Sequence, residues 1–220
     1  MHPLYVALDT CAMASLFNMS VRRLSMRFPV IAPKAAVVSD EMLVSIAGLD
    51  VLRRGGNAAD AVVAMAACMQ VVQPHSCGLG GDCFAMYYDS HEKRVHCVDG
   101  SGRSPAALTL ELMQSKGHHD STRELRMYGL QATVPGAAKA WFHIVNRFGS
   151  QKMNFSELLA PAVHYAECGV PMDHIKHSLW GIRLKRLKTM PGGHLFLDKD
   201  RQLPMVGHSV VNRPLAQLLK

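Results

Sequence analysis

Residues Val72–Pro105, VQPHSCGLGGDCFAMYYDSHEKRVHCVDGSGRSP, decide how the rest of the chain is read. Two glycine-rich turns, PHSCGLGGD and DGSGRSP, bracket two β-rich runs, Phe84–Tyr88 and Arg94–Val98. A polar turn, Asp89–Lys93, joins the runs. Such a unit brings backbone amides and one arginine, Arg103, to the same end of a sheet. Glycine permits positive φ and close backbone approach, and a guanidinium offers a planar fork to a carboxylate. The combination suits a grip on a small anionic substrate.

Working outward, Ala35–Ser39 reads as a short buried strand, and Asp40 as the cap of the helix that follows. Met42, Ile46, Leu49 and Leu52 recur at helical spacing and form its expected core stripe through Arg54. Gly55–Gly56 stops that helix, and Asn57 caps a second one, Ala58–Val72, almost uncharged after Asp60. A helix apolar on all sides is buried. Pro105–Ala107 reads as the opening of a helix reaching Lys116, and Gly117–Arg123 as a polar loop. Pro135 suits the first turn of a helix to Phe148. Asn154 with Glu157 forms a capping-box pattern for a helix to Glu167, in which Pro161 implies a kink or a later start. Asp173 caps a helix to Lys188, His194–Leu203 reads as strand and turn, and Pro214 opens a terminal helix. There is no internal repeat.

The chain has 220 residues, 49% hydrophobic and 19% charged, which is ordinary for a globular protein with a core. The net charge of +7 can steer anionic ligands without specifying a fold. The run RLKRLK at Arg183–Lys188 reads as the solvated face of a helix. Nucleic acid is not expected as a partner, because no aromatic stacking residues are interleaved with these cations. Six cysteines lack a CxxC pair, which gives a zinc site no support, and free thiols are expected even for Cys77 and Cys83. The histidine pairs His118–His119 and His174–His177 lack a carboxylate or cysteine set at ligand spacing, so no metal is expected. No apolar run reaches the roughly 18 residues of a membrane span. Residues 1–34 read as a disordered or leader-like segment, and 35–220 as one domain. A cytoplasmic location is the expectation.

The motifs also carry a resemblance. RRGGNAADAVVAMAACMQVVQPHSCGLGGD (Arg53–Asp82) and VDGSGRSPAAL (Val98–Leu108) are similar to segments of the γ-glutamyltransferase (glutathione hydrolase) family of N-terminal-nucleophile hydrolases. TVPGAAKAW, ELLAPAVHYAECGVPM and HLFLDKDRQLPMVGHSVVNRPLAQLL follow in the family's order, so the likeness covers roughly Ala35–Lys220. It implies an α+β chain: the N-terminal part of a four-layer αββα fold, mostly helical with a few strands. It also implies a threonine that opens a small subunit after self-cleavage. None of Thr10, Thr109, Thr122, Thr133 and Thr189 sits in the family's context for that nucleophile. The expectation is therefore a chain that supplies substrate-pocket residues, with no catalytic residue of its own and no cofactor. Its implied partners are a small anionic amide or γ-glutamyl peptide and the small subunit of the same precursor. A catalytically inactive truncated isoform acting as a binding protein is the rival reading.

The resemblance assigns substrate contacts to Arg103, Gly80, Gly81, Asp82 and Ser101. The family usually shows Asp-Gly-Arg-Glu-x-Ala-Pro where this chain has Asp99-Gly100-Ser101-Gly102-Arg103-Ser104-Pro105. The arginine has moved by two positions, with Ser101 in its place, a pattern closer to the branch that includes oxamate amidohydrolase. Arg103 reads as the clamp on a substrate carboxylate; the alternative is an arginine satisfying turn carbonyls or a surface acid. Gly78, Gly80 and Gly81 read either as a tight turn or as an anion-holding nest. Asp82 either binds a substrate amino group or caps the turn. His75 orders the turn rather than acting as base, since in this hydrolase class the nucleophile's own amine takes the proton. Cys83 cannot be an N-terminal nucleophile from mid-chain.

Overall fold

A computed structural model describes residues 30–117 and 132–220, together with the backbone of Leu4–Ala7. The leader-like reading of 1–34, the loop after Gly117 and the pair His118–His119 therefore fall largely outside the described residues. The chain divides into two compact units, Met1–Ser76 with Gly149–Lys220, and Cys77–Phe148.

The first unit is built on helices. Strand β1 (Leu4–Ala7) pairs in parallel with β2 (Ala35–Val38). Helix α1 (Met42–Arg53) packs on α2 (Ala58–Val72), and α2 in turn on α5 (Phe155–Cys168). The α2 helix is the core element, with Val63, Ala64, Met65 and Cys68 essentially without solvent exposure. Burial pushes the Cys68 thiol up to about 12, which leaves it a small hydrophobe. Its N-terminus carries the expected cap: Asn57 Oδ1 accepts from Ala59 N and Asp60 N, at 3.0 and 3.1 Å. Asp60 Oδ2 returns the bond to Asn57 N and also accepts from Ser150 N, each at 3.0 Å. A second capping box, between Asn154 and Glu157, starts α5, which carries Pro161 inside it and ends at Gly169, where φ is 92°. Strand β5 (Val170–Pro171) pairs with β6 (Ser209–Val210), and helix α6 (His174–Thr189) is capped by Asp173. Helix α7 (Arg213–Leu219) closes the unit, with Pro214 in its first turn.

Three expectations are corrected here. Asp40 is not the cap of α1: Glu41 holds the N-cap position without a side-chain cap bond. The Glu41 carboxylate is drawn away to Lys176 Nζ and Gln73 Nε2, at 3.3 and 3.0 Å. The expected core stripe of α1 faces outward, Met42 being 74% exposed, while Val44, Ala47, Gly48 and Val51 are buried. The small residues win that face because they admit close approach to α2; a Cβ on Gly48 would overlap Met65. His194–Leu203 is not a strand, since Gly193–Phe196 forms a 3₁₀ turn started by Gly192 at φ 76°.

The second unit is a β-hairpin with a helix. Strands β3 (Phe84–Asp89) and β4 (Arg94–Asp99) pair antiparallel, Phe84 opposite Asp99 and Asp89 opposite Arg94. Alternation sends Ala85, Tyr87, His96 and Val98 to one face and Phe84, Met86, Tyr88, Val95 and Cys97 to the other. The first face packs on α4 (Ala137–Phe148), with Tyr87 stacked on Phe148 at 4.6 Å between ring centroids. The second is open, Phe84 being 69% and Met86 78% exposed. Helix α3 (Leu110–Ser115) begins at its cap Thr109, later than the Pro105–Ala107 reading, because Thr109 Oγ1 accepts from Leu112 N.

Candidate substrate-binding site

The second unit ties the two glycine turns together at one end of the hairpin. Gly100 N donates to Cys83 O at 2.8 Å and extends the ladder by one rung. Beyond it, Asp82 Oδ1 accepts from Gly102 N at 2.9 Å and from Thr133 Oγ1 at 3.4 Å. Gly81 O accepts from Gly136 N and Ala137 N, at 3.1 and 3.0 Å, and Val134 N donates to Arg103 O at 2.9 Å. Three chain segments, 78–82, 99–103 and 133–137, are thereby held as one platform at the start of α4. Asp82 is used as a fastener between turns, which accounts for one of its carboxylate oxygens.

The glycines of this platform work by close approach rather than by unusual dihedrals. Among the described glycines, positive φ occurs at Gly55, Gly117, Gly169, Gly192 and Gly207, and not at Gly78, Gly80 or Gly81. A Cβ on Gly102 would overlap Val134 O, and one on Gly136 would overlap Gly100 O. Gly81 N closes a turn onto Gly78 O at 3.0 Å. Gly78 and Gly80 differ, since a Cβ at either would meet no atom within 4 Å. Among the described residues, protein packing therefore does not require glycine at Gly80.

Ser101 is exposed, and its backbone N donates to Asp99 Oδ1 at 2.9 Å. Arg103 is exposed too, and among the described residues its guanidinium has no ion-pair partner, although its carbonyl is fixed. Cys83 is half-buried; burial pushes its thiol up, only partly offset by a hydrogen bond with Trp141, which argues against nucleophile chemistry there. Sequence reasoning missed Thr133 and Gly136 as platform members. Their signal was the segment TVPGAAKAW, but nothing local to it announces pairing with residues 81–103.

His75 lies in the first unit and does order local structure. Trp180 Nε1 donates to His75 Nδ1 at 3.2 Å, which requires an unprotonated Nδ1. Lys176, nearly buried, lies between Glu41 Oε1 at 3.3 Å and Asp173 Oδ2 at 3.0 Å. Burial first, then the Lys176 charge, lowers the His75 pKa from 6.5, partly offset by Glu41 and Asp173. The unfolded chain then binds the proton more readily than the folded one, so stability falls as pH drops below about 6.5. Burial raises the Asp173 carboxyl, but hydrogen bonds from Lys176 and its charge outweigh this and lower it from 3.8. Its stabilising effect is therefore lost only at still lower pH. His75→Asn keeps an acceptor for Trp180 and removes the titration, so its stability curve between about pH 7 and 5 should be flatter than the wild type's. Equal slopes in denaturant titrations across that range would refute the assignment.

Comparison with known proteins places the chain in a family. The family model of gamma-glutamyltranspeptidase matches residues 44–220. The glutathione hydrolase-like YwrD proenzyme of Bacillus subtilis (strain 168) is 35% identical over 192 residues, 86% of this chain and 35% of its own length. The oxamate amidohydrolase proenzyme of Klebsiella pneumoniae subsp. pneumoniae is 32% identical over 155 residues, 70% of this chain and 29% of its own. The structure of Helicobacter pylori gamma-glutamyltranspeptidase superimposes with a TM-score of 0.80 at 25% identity, covering 87% of this chain and 54% of that one. The chain thus spans about a third of the length of these curated relatives. Its α+β architecture is that of the matching part of the N-terminal-nucleophile hydrolase fold. The chain belongs to the gamma-glutamyltranspeptidase family.

Proposed function

We propose that this chain forms the carboxylate-binding wall of a threonine-nucleophile amide hydrolase or acyltransferase acting on γ-glutamyl compounds. The observation that carries the reading is the platform itself: Arg103, with its carbonyl anchored and its guanidinium without an ion pair among the described residues, on the same fastened loops as the backbone of Gly80. Arg103 would clamp the substrate carboxylate through its two-pronged fork. Gly80 and Gly81 would let the substrate approach the backbone, Asp82 would hold the loops in place, and Ser101 would offer a hydroxyl beside the clamp. A freed N-terminal threonine hydroxyl on further polypeptide would attack the amide carbonyl, its own amine taking the proton. Backbone amides would stabilise the oxyanion, and water or an acceptor amine would resolve the acyl-enzyme. The reaction needs no cofactor. The open apolar face of β3 and β4 supports the presence of that further polypeptide in the assembled enzyme.

A cytoplasmic location is proposed, and the free thiols of Cys68, Cys83, Cys97 and Cys168 fit a reducing compartment. Among the described residues, no helix is long and apolar enough to cross a membrane. A second reading, hydrolysis of a smaller anionic amide such as oxamate, is favoured by the displaced arginine and by Ser101 in its place. The two part in one assay: the full-length protein is incubated with glutathione, a γ-glutamyl anilide and oxamate. Release of glutamate or aniline is the expected outcome; turnover of oxamate alone would overturn the γ-glutamyl assignment in favour of the second reading.

A further inference from the structure

At the end of the hairpin remote from the glycine platform, the turn joining β3 and β4 gathers three ligand-type side chains. One donor atom each from Asp89, Glu92 and His96 lies within 4.8 Å of the other two. His96 Nε2 is already 3.2 Å from Glu92 Oε2, about the separation of two donors on one tetrahedral ion. Two of the three are oriented by contacts outside the cluster. The Asp89 carboxylate accepts hydrogen bonds from the backbone N–H groups of His91 and Glu92, at 2.7 and 3.2 Å. The His96 ring, 16% exposed, lies against Phe148 at 5.2 Å between centroids. Among the described residues, neither Lys93 nor Arg94 forms an ion pair with either carboxylate, so two negative charges face one imidazole without a cation between them.

We propose that Asp89, Glu92 and His96 bind a first-row divalent transition cation such as Zn²⁺, with solvent completing the coordination. One imidazole with two carboxylates suits such ions, whereas Mg²⁺ and Ca²⁺ prefer oxygen donors throughout. Zn²⁺ takes imidazole and carboxylate at roughly 2.0–2.2 Å, so Asp89 must close on the other two; an exposed turn allows this. Binding moves the imidazole proton to Nδ1, leaving the Nε2 lone pair for the metal. The pattern D-x2-E-x3-H was not legible as a metal motif, because only the hairpin register brings a strand end, a turn and the facing strand together.

The test is calorimetric titration of the full chain with Zn²⁺ at about pH 7.5, with Mg²⁺ as control. One equivalent of Zn²⁺ should bind, and the affinity should fall at least about tenfold in both Asp89→Asn and His96→Gln. A control variant, His118→Asn with His119→Asn, should leave binding unchanged. Asp89→Asn keeps an acceptor oxygen for the turn, so its fold should survive if His96→Gln disturbs packing on Phe148. Undiminished binding in Asp89→Asn, loss of binding in the His118/His119 control, or no heat up to about 1 mM Zn²⁺ would each overturn the proposal.

Discussion

Gly102→Ala is expected to destabilise the second unit by about 3 kcal/mol or more, the cost of forcing a side chain into filled space. The added Cβ would overlap Val134 O and stand 2.9 Å from both Cβ and Oγ1 of Thr133. A backbone carbonyl cannot rotate away as a side-chain tip can. Relief therefore requires parting the 99–103 and 133–137 segments, and with them the bonds from Gly102 N to Asp82 and from Val134 N to Arg103 O. Gly80→Ala provides the contrast, since it meets no atom within 4 Å and its φ is not positive. It should change stability by no more than about 0.5 kcal/mol. Thermal unfolding compares the two, and amide exchange at Val134 reports whether the platform itself has opened. Equal melting temperatures for the two variants would show that the close approach at Gly102 is not what holds the loops. Gly80→Ala should instead weaken substrate binding, because the space it fills is proposed to belong to the ligand.

What could be read from the sequence was local. The strands at Phe84 and Arg94 were legible because alternating side chains and glycine turns lie within the segments themselves. The caps at Asn57, Asn154 and Asp173 were legible because each bond spans two or three residues. The face of α1 was not: an apolar stripe says that something is covered, not by what. Val44, Ala47 and Gly48 took the inner position through their fit to α2, a fact written in another helix. That Glu41 rather than Asp40 holds the N-cap position of α1 was hidden for the same reason, the Glu41 partner Lys176 being 135 residues away. The platform was half legible. Glycines and the arginine stood out by type, but the fastening of Asp82 to Gly102 and Thr133 depends on contacts 20 and 51 residues apart.

Arg103→Ala, in a protein that also carries the threonine-led small subunit, is expected to raise KM for a γ-glutamyl substrate about 10- to 100-fold. That is the range for losing a charge-assisted bond worth roughly 1.5–3 kcal/mol. The turnover number should move less, since the carboxylate lies away from the scissile bond and is bound alike in ground and transition states. The fold should be spared, because the Arg103 side chain is exposed and only its carbonyl joins the platform. A substrate whose α-carboxylate is replaced by a carboxamide makes the decisive comparison. Measured as kcat/KM for both substrates on both proteins, the cycle isolates the contact itself. In the native protein the carboxamide should lose about 10- to 100-fold, and in Arg103→Ala close to nothing. An equal loss in the two proteins would mean that the guanidinium at position 103 does not touch the substrate carboxylate.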